Sequence, residues 1–452
     1  MSATAPVIVV IGGGFSGAAV AAQLLRRGRP VRVVLVNRFG PIGRGVAYRT
    51  RIEAHVLNVP AAGMSALADD PEHFLRWASA RDGSIRPGTF VSRRVYGEYL
   101  EALLREAESA AGPSGATLDR VVGEVRDVEP RPGGGAAVVF ADGSRREADR
   151  VVLALGNYSP NDPPADGAGF YASERYVRDP WIRGALDVIR EGEAVLLLGT
   201  GLTMMDIALD LASRGTSLPI RAVSRHGLLP RGHALQSATP ARPPADDDTK
   251  TVRALLRWLR HAARETGDWR AAVGAIRDAT PAIWQGFSEA ERSRFLRHAR
   301  PWWEIHRHRA APPTAAAVAG MIEHGELQTR AGRVVRWEPD AGGVRVHVRP
   351  RGAGGTETIF VERVVNCTGP SSDVRRVGDP LLNALLARGL MVADPHRLGI
   401  LVSSDCALVG AAGEPSETFF LVGPLLKARF WEATAVPELR RHAKSVAERL
   451  LP

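Results

Sequence analysis

The chain has 452 residues, 45% of them hydrophobic and 24% charged, which excludes a disordered protein and suits two or three globular domains. Its net charge is +10, but all but three of its 59 basic residues are arginine, spread along the chain and not gathered into a tail or stripe, so nucleic acid is not the expected partner. Two cysteines, Cys367 and Cys406, in no Cys-x-x-Cys pair, argue against a dithiol centre and against a cysteine-rich zinc site.

The N-terminal segment carries no basic region and no cleavage site, and no apolar run approaches the ~20 residues of a membrane span. With so few cysteines, a cytoplasmic protein without membrane contact is expected. Val7–Ile11 is a β-branched run that ends in glycines and reads as a buried parallel strand. Small and apolar residues at helical spacing follow at 16–27, and a second strand at 31–36 completes one βαβ unit. Residues 71–80 and 96–110 read as helices, 121–147 as a β-meander, and 151–155 as a buried strand ending in Gly156. The pattern then recurs: a strand at 194–198 ending in Gly199-Thr200-Gly201, a helix at 204–214, a strand at 220–223, an alternating region at 330–361, and a strand closing at Gly369. Between these, 238–248 reads as a Pro- and Asp-rich loop and 249–324 as mostly helical. The expected fold is α/β, with two Rossmann-like dinucleotide-binding domains and a helical insertion at 245–325 that covers or lines the cleft between them. The first domain is expected to be discontinuous, 1–185 with 362–452, and the second to span 186–361.

In the first loop Gly12 permits the tight turn, Gly14 lets a pyrophosphate approach the backbone, and Gly17 lets the helix pack on the strand. Phe15 and Ser16 open that helix, whose free N–H groups and positive dipole end face the phosphates. Asn37 stands where an acidic residue normally binds the adenosine ribose; it is either a ribose ligand or only a strand-end turn residue. The second loop, Gly199 to Thr203 through Gly201 and Leu202, has Met204 in place of the third glycine. Its second strand ends in Ser224-Arg225-His226. Arg225 suits a 2′-phosphate, so NADPH is preferred over NADH, with Arg231 and His233 close enough in sequence to share that phosphate; the plainer reading of Arg225 is a solvated surface arginine.

Motifs along nearly the whole chain carry a family resemblance: GRGVAY at 43–48, LNVPAAGMS at 57–65, VSRRVYGEYL at 91–100, VLLLGTGLTMMD at 195–206, SRHGLLPRGH at 224–233, WWEIHRHR at 302–309, VVNCTGP at 364–370 and VGPLLKARFWEATAVPELR at 422–440. The chain resembles the FAD/NAD(P)-binding flavoprotein monooxygenases that include an FAD-dependent urate hydroxylase and a nitrosuccinate-forming aspartate N-monooxygenase. The two-nucleotide layout is similar to that of class B flavin monooxygenases; their linker signature is degenerate here, at 170–181. The resemblance implies FAD in the first fold, NADPH (or NADH) in the second, O₂ as co-substrate, and hydroxylation of a small polar substrate through a flavin C4a-hydroperoxide. Urate is the first expectation. N-hydroxylation of an amine or amino acid, or NADPH oxidation without oxygen insertion, are the alternatives. Arg44 is expected at the pyrophosphate or flavin carbonyls, Asn58 at the flavin or substrate, and Arg94 at an anion. Gly156, Gly369, Gly423 and Pro424 are expected at the cofactors, with the last helix aimed at the flavin. Trp303, His306 and His308 are candidate substrate contacts; two histidines two apart do not share a helix face, so no metal is expected.

Overall fold

The computed structural model describes residues 5–215, 219–234, 239 and 241–452. Val7–Ile11 lies inside a six-stranded sheet ordered Ala407–Val409, Pro415–Leu421, Arg150–Leu153, Val7–Ile11, Val31–Asn37, Ala116–Val122. Every neighbouring pair is parallel except the edge strand Ala407–Val409. Central parallel strands are covered on both faces, which is why they read as unbroken apolar runs. The helix Phe15–Leu25 is buried along its whole length. Its glycine and alanines let it lie between the sheet and the helices Arg93–Ala111 and Val436–Leu450.

The second sheet has seven strands, ordered Glu357–Val361, Val344–Pro350, Leu327–Pro339, Ile220–Ser224, Val195–Leu198, Arg363–Asn366, Tyr176–Val177. The last five are parallel, and the first two add an antiparallel edge. The helix Leu202–Ser213 follows Val195–Leu198 as Phe15–Leu25 follows Val7–Ile11. The mixed α/β architecture expected from the repeated pattern is therefore present.

Four local expectations change. Residues 121–122 do not open the meander; they end the parallel strand Ala116–Val122. That strand is a sheet edge exposed on one side, so it alternates as a meander strand does. The meander itself, Val125–Pro130, Ala136–Phe140 and Arg145–Ala148, is a separate sheet. Second, the helix Pro312–Glu323 is not insertion but the crossover into Leu327–Pro339, with Val318 and Met321 in the core beneath Leu202–Ser213. Third, Arg363–Asn366 and Tyr176–Val177 both hydrogen-bond into the second sheet, so the chain crosses between folds several residues away from the expected boundaries at 185 and 362. Fourth, in the expected loop at 238–248, Ala238 and Pro240 lie outside the described residues, while Asp246–Thr249 is a short helix. Its three aspartates crowd the first turn, where the helix dipole favours them.

The remaining insertion helices, from Val252–Thr266 to Arg300–Arg307, form a core of their own with residues of the C-terminal segment. Leu255, Ile276, Ile283, Trp284, Phe287 and Trp303 pack with Leu398, Ala428 and Trp431. No described helix is long and apolar enough to cross a membrane.

Candidate functional site

The two glycine loops repeat one geometry. Gly12 N–H donates to the Val36 carbonyl at 2.8 Å, and Gly199 N–H to the Val223 carbonyl at 2.8 Å. Both glycines have positive φ, +117° and +103°. A Cβ on Gly12 would lie 2.1 Å from the Ala154 carbonyl oxygen, and one on Gly199 would lie 2.6 Å from that of Cys367. Gly14 and Gly201 hold the N-cap positions with nearly equal dihedrals, −81°/−164° and −84°/−168°. Neither helix has a side-chain cap or an acidic residue in its first turn, so the N–H groups of that turn remain available to an anion. Gly17 packs so closely that its Cβ would meet the Gly12 carbonyl oxygen at 1.8 Å. Its counterpart Met204 is instead buried in the core of the second fold.

A cleft of about 420 Å³ opens at the carboxyl ends of the first sheet. Gly12, Gly14, Phe15, Ser16, Asn37, Arg44, Gly156 and Pro424 line it, together with Tyr158, Thr434 and Leu439. Gly423 (φ +146°) closes the same edge: a Cβ there would be 3.6 Å from Ser16 Oγ and 4.0 Å from the Gly156 nitrogen. These residues fit an FAD. Among the described residues, chain neighbours aside, a Cβ on Gly14 would meet Gly45 Cα alone within 4 Å, at 3.5 Å, so the backbone is bare where a pyrophosphate must approach. The N-terminus of Val436–Leu450 reaches this cleft through Thr434 and Leu439.

Several polar residues expected at the cofactor are already engaged. Asn37 accepts a bond from Gly13 N–H through Oδ1 (3.3 Å) and donates through Nδ2 to the Phe39 and Gly40 carbonyls, so its amide shapes the loop and is spent there. Arg44 lines the cleft but makes two bonds to Glu101, at 2.7 and 3.1 Å, and that carboxylate raises its pKa. Ser224 Oγ is taken by Thr200 Oγ1 and Gly227 N–H, tying the second loop to the end of its strand. Arg225 is partly exposed and has no carboxylate partner among the described residues; the burial of the rest of the side chain, and then Arg300 and Arg333, lower its pKa. Gly369 (φ +88°) has open space at its Cβ position, beyond the Arg363–Asn366 strand that borders the second loop.

The candidate catalytic and substrate residues are scattered. Arg94 is not free for an anion: it is bound by Glu53 at 2.7 Å and Glu98 at 2.6 Å. Its neighbour Arg93 pairs with the buried Asp206 at 2.8 Å and thereby joins the two folds, a contact hidden from sequence because the partners lie far apart. Trp303 is a core residue whose Nε1 donates to Glu432 at 3.0 Å. His306 bonds the Trp302 carbonyl at 2.7 Å, and His308 meets Glu304 at 3.2 Å. Burial raises the Glu304 pKa, but Lys427, His308 and Arg300 overcome it and hold the carboxyl down at about 2. Asn58 and His233, from different folds, meet directly: His233 Nε2–H donates to the Asn58 carbonyl at 2.9 Å. His233 therefore points away from the expected phosphate role. Burial and then Arg309 press its pKa down to about 4.

Residues 9–158 match the FAD-NAD(P)-binding family model. Curated protein sequences give no match. Solved structures match over almost the whole chain. Reduced ornithine hydroxylase from Pseudomonas aeruginosa has 14% identity and a TM-score of 0.66, covering 99% of this chain and 98% of that one. Ornithine N-hydroxylase from Kutzneria sp. 744, solved with reduced FAD, NADP⁺ and L-ornithine, has 16% identity and a TM-score of 0.65, covering 99% and 100%. L-lysine 6-monooxygenase from Pseudomonas syringae has 16% identity and a TM-score of 0.65, covering 98% of each. The chain thus has the mixed α/β fold of these hydroxylases, with an FAD-NAD(P)-binding match over its first glycine loop and the walls around it.

Proposed function

We propose that the chain is an FAD-dependent, NADPH-consuming monooxygenase that N-hydroxylates a small amine or amino acid. The observation that carries this reading is the doubled glycine-loop geometry, one loop opening on the Gly12–Ser16 cleft and the other tied to the strand Ile220–Ser224, which leads into Arg225, a cation with no carboxylate partner among the described residues. Bound flavin supplies hydride acceptance and O₂ activation. The residues supply the rest. Gly12, Gly14 and the first turn at Phe15 and Ser16 receive the FAD pyrophosphate, and Gly156, Gly423 and Pro424 form the wall beside it. Gly199, Gly201 and the turn at Leu202 and Thr203 receive the second pyrophosphate, with Arg225 and Arg333 at the 2′-phosphate. The insertion, packed on the C-terminal segment, excludes water from one side.

Urate hydroxylation, the first expectation from the family resemblance, has no support among the similar structures reported above, which are ornithine and lysine hydroxylases. The amine reading is therefore preferred. The test is NADPH oxidation by the yellow protein with L-ornithine, L-lysine, cadaverine and urate, scored with product mass and hydrogen peroxide. A substrate-stimulated rate with a product 16 mass units heavier (one oxygen atom) supports the reading. Stimulation by urate alone restores the first expectation. NADPH oxidation with no oxygenated product leaves an oxidoreductase without oxygen insertion.

A further inference from the structure

A cluster of guanidiniums lies where the insertion meets the loop at His233. Arg307, Arg270 and Arg277 lie close enough to Arg309 to act on its charge, and three carboxylates pair with those three neighbours. Asp268 pairs with Arg270 at 3.3 Å, Glu432 with Arg307 at 3.3 Å, and Glu438 with Arg277 at 2.9 Å and Arg307 at 3.3 Å. Arg309 is left over. Among the described residues it has no hydrogen bond and no ion pair, and its buried Nε has no partner. Its guanidinium lies over the face of Trp269, 5.9 Å from the ring centroid. The buried Nε has lost water and gained no acceptor, which is costly, and the terminal nitrogens are left to meet a ligand.

The position of this cation gives it a use. Gly232 and Ala310 bridge, and His233 N–H donates to the Ala310 carbonyl at 3.1 Å, so Arg309 sits beside the His233 segment. His233 in turn touches the Asn58 carbonyl and packs against Phe90, with ring centroids 5.0 Å apart. This seam is where the first fold, the second fold and the insertion all meet. The imidazole is neutral at neutral pH, so it adds no second positive charge and offers Nδ1 as an acceptor.

We propose that Arg309 anchors a carboxylate of the substrate, so that the site selects carboxylate-bearing amines over diamines; the proposal rests on the monooxygenase reading above. A guanidinium matches a carboxylate with two parallel N–H donors, which fixes orientation as well as charge. The incoming anion gives Arg309 the kind of partner that Asp268, Glu432 and Glu438 already give Arg270, Arg307 and Arg277.

The test uses the full-length FAD-loaded protein with saturating NADP⁺, which fills the Arg225 site. Succinate, L-ornithine and cadaverine are titrated separately, by calorimetry and by perturbation of the flavin absorption band. Wild type is expected to bind succinate and L-ornithine. Arg309→Gln is expected to weaken both by about 10- to 100-fold, leaving cadaverine and NADP⁺ affinity unchanged. Arg309→Lys is expected to recover part of the loss. Because an unpaired charge is removed, the Tm of Arg309→Gln should equal or exceed that of wild type. Equal succinate and L-ornithine affinity in both proteins, no binding of either by wild type, or a lowered Tm with cadaverine weakened in parallel would each overturn the proposal. Anion binding does not require turnover. Arg309-dependent binding without an oxygenated product therefore sinks the monooxygenase reading and leaves the anchor standing.

Discussion

At the scale of single residues, the glycines of the first loop separate into two kinds. Gly17 is required by the protein itself, because a Cβ would fall 1.8 Å from the Gly12 carbonyl oxygen. Gly14 has an ordinary φ and room for a Cβ, so only a ligand requires it bare. Gly14→Ala should therefore fold with an unchanged Tm yet purify with reduced FAD content. Gly17→Ala should lose FAD and also about 1–3 kcal/mol of stability. Thermal melting and the flavin-to-protein absorbance ratio read both, and equal losses in the two variants would contradict the distinction. Arg225 gives a second residue-scale prediction. Arg225→Ala should raise the KM for NADPH about 10- to 100-fold, as expected for bonds to a charged group, with little effect on NADH. Parallel effects on the two cofactors would remove the 2′-phosphate role. Arg94 and Arg44 looked alike to Arg225 in sequence, but only the fold shows them held by Glu53, Glu98 and Glu101.

At the scale of elements, the strand–glycine–helix units were legible because their signals are local: a β-branched run, a glycine at the turn, and a helix of small residues. The end of the edge strand Ala116–Val122 and the crossover helix Pro312–Glu323 are not legible in the sequence, because their roles depend on which sheet they join. The contact between the two folds belongs to this scale. Helix Arg93–Ala111 presents Arg93 to Asp206 on helix Leu202–Ser213, and both side chains are largely buried. Arg93 also donates to the Val56 carbonyl, and His55 bonds the Asp206 carbonyl at 3.2 Å. Removing one member of a buried pair strands the other, at a cost of about 3–5 kcal/mol. Arg93→Ala should lower stability by that order in urea titration and should loosen the second fold first, seen as faster proteolysis within residues 186–361. A change within about 0.5 kcal/mol would mean that the pair is effectively solvated.

At the scale of the whole molecule, acid stability follows from histidines buried in the neutral state. Burial presses His233 and His442 down to about 4, against an ordinary value of 6.5, and His55 is lowered as well. Between those values the unfolded chain takes up protons that the folded chain refuses. Stability should therefore fall as pH drops from about 6.5 towards 4, and protonation of Glu304 should add to the loss at still lower pH. The double variant His233→Gln, His442→Gln should flatten Tm between pH 7 and pH 5; an unchanged slope would show that other groups dominate.

The sequence by itself determined the doubled nucleotide fold, because each βαβ unit writes its signature within thirty-odd contiguous residues. The first glycine loop could be placed at a phosphate from those residues alone. It could not say which arginines remain free to bind a ligand. Nearly every basic residue is the same amino acid, and whether a given guanidinium is spent depends on carboxylates tens to hundreds of positions away. Only the tertiary structure brought Glu101 to Arg44 and Asp206 to Arg93, and among the described residues it left Arg225 and Arg309 without a carboxylate partner, because charge pairing is settled by distance in space.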